Sequence, residues 1–241
     1  MDQQLKPSYH PLYQQIKDAL LARIVSGEWP PGTYIPSESA LAKEYGASVG
    51  TLRKALDALA SDQVVLRLQG KGTVVATHDS DRSLFQFFHL VRRDGTRSLP
   101  VSRVLIRERR MATATETEAL GLEEGAAVVH IRRIRELEDE PALLEDLVVS
   151  ADRFKHLEEE PTTLPNTLYQ LYQQRFNQSV AHAEERLFAV AASEEEQRHL
   201  GVPKGTPLLE IRRIARNLQG IPLEFRVSRC ETQKHYYLNE L

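Results

Sequence analysis

Two short stretches of the chain place cationic and hydroxyl side chains where they could bind nucleic acid. Ser48, Thr51, Arg53 and Lys54 lie together at the beginning of a helical pattern. A hydroxyl at a helix start can bind phosphate, and an arginine can donate two hydrogen bonds to guanine. Lys71 lies between two glycines, so this segment can approach a nucleic-acid backbone or minor groove closely.

A second set of residues could bind a small anion. Arg133 and Arg135 are two residues apart in a β-rich run, so strand alternation places both on one face. Two guanidinium groups on one face can clamp a carboxylate or a phosphate. Glu145, Glu224 and Arg226 lie on or beside further strands. A surface ladder of paired charges across hairpins is the alternative interpretation of this pattern.

Most enzyme and cofactor motifs are missing from the sequence. The eight histidines show no metal-ligand spacing, and no H-E-x-x-H, G-x-S-x-G, Walker or G-x-G-x-x-G motif occurs. The single cysteine, Cys230, excludes a disulfide scaffold; it could be a reactive thiol, although packing in a strand is more common. We therefore expect no metal and no cofactor, although Glu145 or Glu224 could act as an acid or base.

The first 76 residues show the order helix, helix, tight turn, helix and hairpin. The predicted helices run from Pro11 to before Gly27, over 38–45 behind the N-cap Ser37, and onward from the N-cap Ser48; the predicted strands are 64–66 and 73–76, joined by the hairpin 67–72. This order is the winged helix-turn-helix pattern, in which the helix that begins at Ser48 would enter the DNA major groove.

The remainder of the chain contains an internal repeat at an offset of about 80 residues. The matching segments are 119–125 with 199–205 and 129–134 with 209–214, and Pro141 matches Pro222 after one inserted residue. Each copy predicts a short acidic helix, a Leu-Gly turn and a β-hairpin, so both hairpins are expected in one antiparallel sheet. A helix over Thr167–Phe176 joins the copies, and Leu187–Val190 is a further predicted strand. The predicted fold class is therefore α+β.

Length, composition and charge suit a two-domain soluble protein. The 241 residues are 41% hydrophobic and 27% charged, and the net charge of −3 excludes a protein that binds polyanions by bulk charge. The polar segment 77–83 is a predicted linker between a domain over 1–76 and another over 84–241. No apolar run could span a membrane and the N-terminus lacks a signal-peptide core, so we expect a cytoplasmic protein with no membrane partner.

Three blocks of the first domain, residues 31–42, 46–56 and 70–75, resemble the DNA-binding domain of the GntR family of bacterial transcription regulators. The resemblance implies a dimeric regulator on a double-stranded operator with two-fold related half-sites. The expected DNA-binding residues are Ser37, Glu38, Ser48, Thr51, Arg53, Lys54, Gly70, Lys71 and Gly72. Lys54 is included as a polar position near the N-terminal end of the helix that begins at Ser48, and the others follow from the resemblance. Many members carry arginine where this chain has Ser39 and Val49, and Gly50 stands where a polar residue or proline is frequent. These departures suggest heavier reliance on Arg53 and the hairpin.

The second domain resembles the effector-binding (UTRA) domain of the HutC subfamily, which shares a chorismate-lyase-like fold. The resemblance rests on Leu120-Gly121 and on residues 131–135, 140–145, 167–169 and 222–224. It implies an effector pocket formed by Phe88, Arg133, Arg135, Glu145, Thr167, Tyr169 and Glu224, bordered by Phe87 and His89. Many members offer small hydroxyl residues to a phosphate where this chain has 85–88, Phe-Gln-Phe-Phe. A smaller or more apolar carboxylate is therefore favoured over a phosphosugar.

Three functions fit these features. The leading one is a homodimeric, non-enzymatic transcription regulator, a repressor that a small anionic metabolite releases from DNA, with the linker as hinge. The second is an enzyme of chorismate-lyase-like fold with a DNA-binding appendage, which would turn over a candidate effector. The third is a DNA-binding protein whose second domain only dimerises, so that no small molecule would change operator affinity.

Overall fold

The structure, a computed structural model, describes residues 10–62, 64–77, 87–159 and 164–239. The chain divides into two compact units, Met1–Thr77 and His78–Leu241. Apart from Thr77, the predicted linker lies outside the described residues, as do Phe85 and Gln86. Among the described residues, no helix is long and apolar enough to cross a membrane.

The first unit has the predicted order of elements. These are α1 (Leu12–Val25), α2 (Glu38–Glu44), α3 (Val49–Ser61) and the antiparallel strands β1 (Val65–Leu68) and β2 (Gly72–Val75). Ile16 and Leu20 of α1 and Leu52, Leu56 and Leu59 of α3 are fully buried, as the apolar spacing predicts. The β1–β2 hairpin, here called the wing, has a shorter turn than predicted because pairing continues to Leu68 and Gly72.

The second unit is built on one six-stranded antiparallel sheet. Its elements are β3 (Leu90–Arg92), β4 (Val101–Met111), α4 (Ala114–Leu120), β5 (Ala127–Leu137), β6 (Glu140–Ser150), α5 (Leu168–Phe176), β7 (His182–Ala191), α6 (Glu194–Leu200), β8 (Pro207–Arg216), β9 (Pro222–Glu231) and β10 (His235–Tyr237). The strand order in the sheet is β4-β5-β6-β9-β8-β7, and β3 pairs with β10 in a separate ribbon. A single turn of 3-10 helix, Leu157–Glu159, precedes α5.

The internal repeat predicted from the sequence is visible in the fold. One copy is α4-β5-β6 and the other is α6-β8-β9, and they meet where β6 pairs with β9. Both helices begin with a capping box and end at a glycine in the left-handed conformation, Gly121 and Gly201. Asp146 and Val227, which are equivalent in the repeat, lie directly opposite each other. An approximate two-fold axis therefore passes between β6 and β9 and relates the two copies.

The two faces of the sheet have different partners. Val129, Ile131 and Leu147 point to the face that packs against α5. The alternate residues Ile134 and Leu144 point to the opposite face, where they pack with Leu200 of α6. Because Arg133 and Arg135 share the alternation of Ile131, both lie on the α5 face.

Candidate functional site

The starts of α2 and α3 are fixed by exposed hydroxyl groups. Ser37 Oγ accepts a hydrogen bond from the backbone N–H of Ala40 at 3.2 Å. Ser48 Oγ accepts one from the N–H of Thr51 at 3.1 Å and lies 2.8 Å from the Thr51 hydroxyl. The predicted N-caps are thus confirmed. The exposed N-terminus of α3 is an electrostatically favourable place for a phosphate.

A four-residue group, here called the Glu38 cluster, joins α2, α3 and the wing. Arg53 donates from Nε and Nη2 to Glu38 Oε2, at 3.1 and 3.0 Å. Arg67 of β1 binds the other Glu38 oxygen and also binds Asp57 of α3. The Arg53 side chain remains 57% exposed, so it is available to a ligand. Sequence reasoning missed Arg67, which looked like part of a turn.

The wing lies beside the start of α2. A groove is lined by residues 34–38 and 67–73, which brings Ser37 and Glu38 together with the Gly70-Lys71-Gly72 tip. Both tip glycines have positive φ, 71° and 110°, which explains the residue type there. Lys71 is exposed. Lys54 is also exposed, and its ammonium group lies 4.2 Å from the centre of the Tyr13 ring rather than in the Glu38 cluster.

In the second unit, a cavity opens on the α5 face of the sheet. Six of the seven predicted effector residues line it, namely Phe88, Arg133, Arg135, Glu145, Thr167 and Tyr169, and so do Phe87 and His89. The lining also includes five polar residues that were not among the predicted ones, Asn166, Arg213, Arg226, Ser228 and Tyr237. The repeat offers a signal for Arg213, because it is the equivalent of Arg133.

Glu145 is the central carboxylate of the cavity. Its oxygens accept hydrogen bonds from Arg133 Nε at 2.7 Å and from the Ser228 hydroxyl at 3.2 Å. Arg135 Nη1 and Arg226 Nη1 each lie 3.5 Å from it. Burial alone would raise the pKa of Glu145, but the surrounding guanidinium charges outweigh it and hold this pKa well below its usual range. Glu145 is therefore ionised.

Arg135 differs sharply from its neighbour Arg133. Both are about 1% exposed. Arg133 Nε binds Glu145 and its Nη1 lies 3.5 Å from the Asn166 carbonyl, whereas Nε and Nη2 of Arg135 have no hydrogen-bond partner among the described residues. Burial, and then the charge of Arg133, lower the pKa of Arg135 to about 9. Two buried nitrogen donors of this cation are thus available to an anion.

Glu224, the seventh predicted residue, lies behind the cavity wall. Its carboxylate accepts hydrogen bonds from the hydroxyls of Tyr169 at 3.2 Å and Tyr172 at 2.8 Å. Nε and Nη2 of Arg226 each donate to it at 2.9 Å. With four donors around it, Glu224 holds Arg226 and Tyr169 in place. Its geometry is that of a positioning residue.

A second ion pair, between β8 and β7, lies on the side of the cavity next to the β3–β10 ribbon. Arg213 Nε donates to Glu185 Oε1 at 2.6 Å, and Arg213 also donates to the carbonyl of Phe87. The Tyr237 hydroxyl binds the same glutamate. Cys230 is fully buried beneath this region among apolar residues, and burial raises the pKa of its thiol well above the usual value. A packing role, not a reactive one, fits Cys230.

Comparison with protein families assigns both units. Residues 12–75 match the family described as bacterial regulatory proteins, gntR family, and residues 97–236 match the UTRA domain. The histidine utilization repressor of Pseudomonas putida is 31% identical over 204 residues, covering 84% of this chain and 81% of that protein. The mannosyl-D-glycerate transport/metabolism system repressor of Escherichia coli (strain K12) is 29% identical over 203 residues, 84% of each chain.

Solved structures agree with this assignment. The ligand-binding domain of a protein assigned to the GntR family, from Bordetella bronchiseptica, has a TM-score of 0.60 and 34% identity, covering 64% of this chain and 97% of that one. PhnF from Mycobacterium smegmatis shares the fold over 94% of this chain and 98% of its own, with a TM-score of 0.56 and 21% identity. GntR regulators bind DNA, and UTRA domains bind small-molecule effectors. The chain belongs to the GntR family of bacterial transcription regulators, in the HutC subfamily that carries a UTRA domain.

Proposed function

We propose that the protein is a homodimeric repressor whose cavity binds a small organic monoanion, which releases the protein from an operator with two-fold related half-sites. Ser37, Ser48, Thr51, Arg53, Lys54 and the wing tip contact the DNA. The effector binds between Arg135, Phe88 and Tyr169. The protein performs no catalysis.

The unpartnered donors of Arg135 carry this proposal. Among the described residues, four arginines and Glu145 line the cavity, and Glu185 and Glu224 pair with two of these arginines from outside the lining. Counting all as ionised leaves one positive charge, since four minus three is one. An effector with a single negative charge would neutralise the site and fill the two donor positions of Arg135.

The cavity lining favours a carboxylate on an apolar body. Phe87 and Phe88 form one side of the cavity, where the family resemblance leads us to expect hydroxyl groups for a phosphate, and Phe87 packs edge-on against Tyr169, with ring centres 4.9 Å apart. A phosphosugar carries more charge and needs more hydroxyl partners than this side provides. The names of the relatives refer to chemically different metabolites, so they do not identify the effector of this protein.

The state of the carboxylates supports binding over turnover. A general acid must hold a proton near neutral pH, and the lowered pKa of Glu145 prevents this. A general base must reach its substrate, whereas the Glu224 carboxylate is occupied by four donors behind the wall. Neither residue is prepared for the acid–base role that the enzyme interpretation needs.

The proposal is tested with the full chain and two kinds of probe. A DNA sequence is first selected from a random duplex pool, and its affinity is followed by fluorescence anisotropy. Aliphatic and aromatic monocarboxylates and phosphosugars are then compared for thermal stabilisation and for release of that DNA, and light scattering gives the oligomeric state. We expect a dimer that a monocarboxylate both stabilises and releases. Release only by phosphosugars, steady consumption of the ligand, or a monomer on DNA would each contradict the proposal.

A further inference from the structure

Glu38 was expected to face DNA, yet it is already bound to two arginines from different elements. Arg53 comes from the helix proposed to enter the major groove, and Arg67 comes from the wing. Building on the proposed DNA binding of this unit, we propose that Glu38 sets base specificity by positioning Arg53 and makes no base contact itself. Arg67 is the second positioning residue, because it holds Glu38 from the other side.

The atoms used in the cluster determine what Arg53 can offer to a base. Its contact with Glu38 Oε2 uses Nε and Nη2, which form one edge of the planar guanidinium group. The other edge, made of Nη1 and the second N–H of Nη2, can donate to O6 and N7 of guanine. A fixed carboxylate thus selects which edge is presented. Without it, the long side chain would sample many rotamers and could bind phosphate as readily as a base.

The same cluster couples the wing to the helix. Arg67 binds Glu38 of α2 and Asp57 of α3 simultaneously. A wing tip on the DNA backbone and an arginine on a base edge must keep a fixed separation for both to contact one site. Arg67 supplies this link, because its two carboxylate partners lie on the two helices of the helix-turn-helix.

Glu38 must also weaken general binding, because a carboxylate on this surface repels phosphates. Its removal therefore has two opposite consequences. Discrimination at the base pair read by Arg53 falls, while affinity for DNA of arbitrary sequence stays the same or rises. A purely structural residue would not separate the two quantities in this way, and a direct base contact would place the loss at a base pair other than the one read by Arg53.

The experiment compares Glu38→Gln with a matched control in the same helix. Glu44, the last residue of α2, also pairs with an arginine, Arg23 of α1, at 2.8 Å, so Glu44→Gln makes the same charge change elsewhere. Full-length proteins are used for selection from a random duplex pool, followed by anisotropy on the selected and on a scrambled duplex. We expect Glu38→Gln to lose roughly fivefold or more of the base preference. Its affinity for the scrambled duplex should be unchanged or higher, and Glu44→Gln should resemble the wild type.

A double-mutant cycle shows whether Glu38 acts through Arg53. The double variant Glu38→Gln with Arg53→Ala should discriminate no worse than Arg53→Ala alone, and at the same base pair. A loss at a different base pair would show that Glu38 itself contacts DNA and would overturn the inference. Equal effects of Glu38→Gln and Glu44→Gln would also overturn it, whereas a wild-type protein that selects no sequence would overturn the proposed DNA binding itself.

Discussion

Replacing Arg135 by methionine should stabilise the effector-free protein and abolish its response to the effector. Methionine has a similar length and fills the space without charge. The change removes two buried donors without partners, each of which costs about 1–3 kcal/mol. It also removes the 3.5 Å contact with Glu145 and a cation–π contact 5.4 Å from the centre of the Phe88 ring. The loss of these two contacts offsets about 1–2 kcal/mol, less than breaking a whole buried ion pair, because Glu145 keeps Arg133 and Arg226 as partners.

Mid-range values give a net gain of about 2 kcal/mol. For a unit of this size, each kcal/mol shifts the melting temperature by roughly 2–4 °C, so a rise of about 4–8 °C is expected. Differential scanning fluorimetry and urea unfolding of the full chain measure this change. Addition of the carboxylate found in the ligand screen should then leave the melting temperature of Arg135→Met unchanged, while the wild type is stabilised.

Arg133→Met is the matched control. It lies on the same strand and face and is equally buried, but its Nε donates to Glu145 at 2.7 Å. Breaking this buried ion pair should cost about 3 kcal/mol. The reasoning is refuted if both variants are destabilised alike, or if Arg135→Met still responds to the carboxylate. If Arg135→Met raises the free energy of unfolding and Arg133→Met lowers it, Arg135 is identified as the residue that binds the anion.

Three further predictions concern DNA affinity, ligand choice and pH. Arg53→Ala should cost about 1–3 kcal/mol of operator affinity and relax base preference, while Lys71→Ala should lower the slope of log affinity against log salt by about one, as anisotropy titrations would show. Phe88→Ser should increase the affinity for phosphosugars relative to monocarboxylates in calorimetry, because it adds a hydroxyl donor at the cavity wall. Because the folded-state pKa of Glu145 is lowered, its contribution to stability is present above its ordinary pKa of 4.5 and is lost as the pH falls below it. Urea unfolding of Glu145→Gln should therefore depend less on pH below about 5 than that of the wild type.

Local patterns were sufficient to predict the first unit. Ser37 and Ser48 each precede an apolar helical pattern, and the glycines around Lys71 permit a tight turn, so short-range chemistry defines each element. Arg67 was missed because its role depends on Glu38, which is 29 residues away in sequence. A contact of that range leaves no periodic signal.

In the second unit, the alternation of side chains along the strands and the internal sequence repeat predicted most of the sheet. Alternation placed Arg133 and Arg135 on one face, and the repeat predicted the paired hairpins. The edge strand β4 was not predicted because its solvent side is rich in charge and hides the apolar alternation. The sequence predicted Glu224 as a pocket residue. In the structure its carboxylate lies behind the cavity wall, where it accepts a hydrogen bond from Tyr172, a helix residue far away in sequence.

The divergence of the two repeats accounts for the charge of the cavity. Glu145 in the first copy corresponds to Arg226 in the second, and across the seam these two side chains lie 3.5 Å apart as an ion pair. Identical residues at both positions would have placed like charges together. Arg135, in contrast, corresponds to Ala215, which carries no charge to balance it. The uncompensated positive charge of the site is therefore the one that only the first copy carries, and the anionic effector that we propose would supply the partner that the second copy lacks.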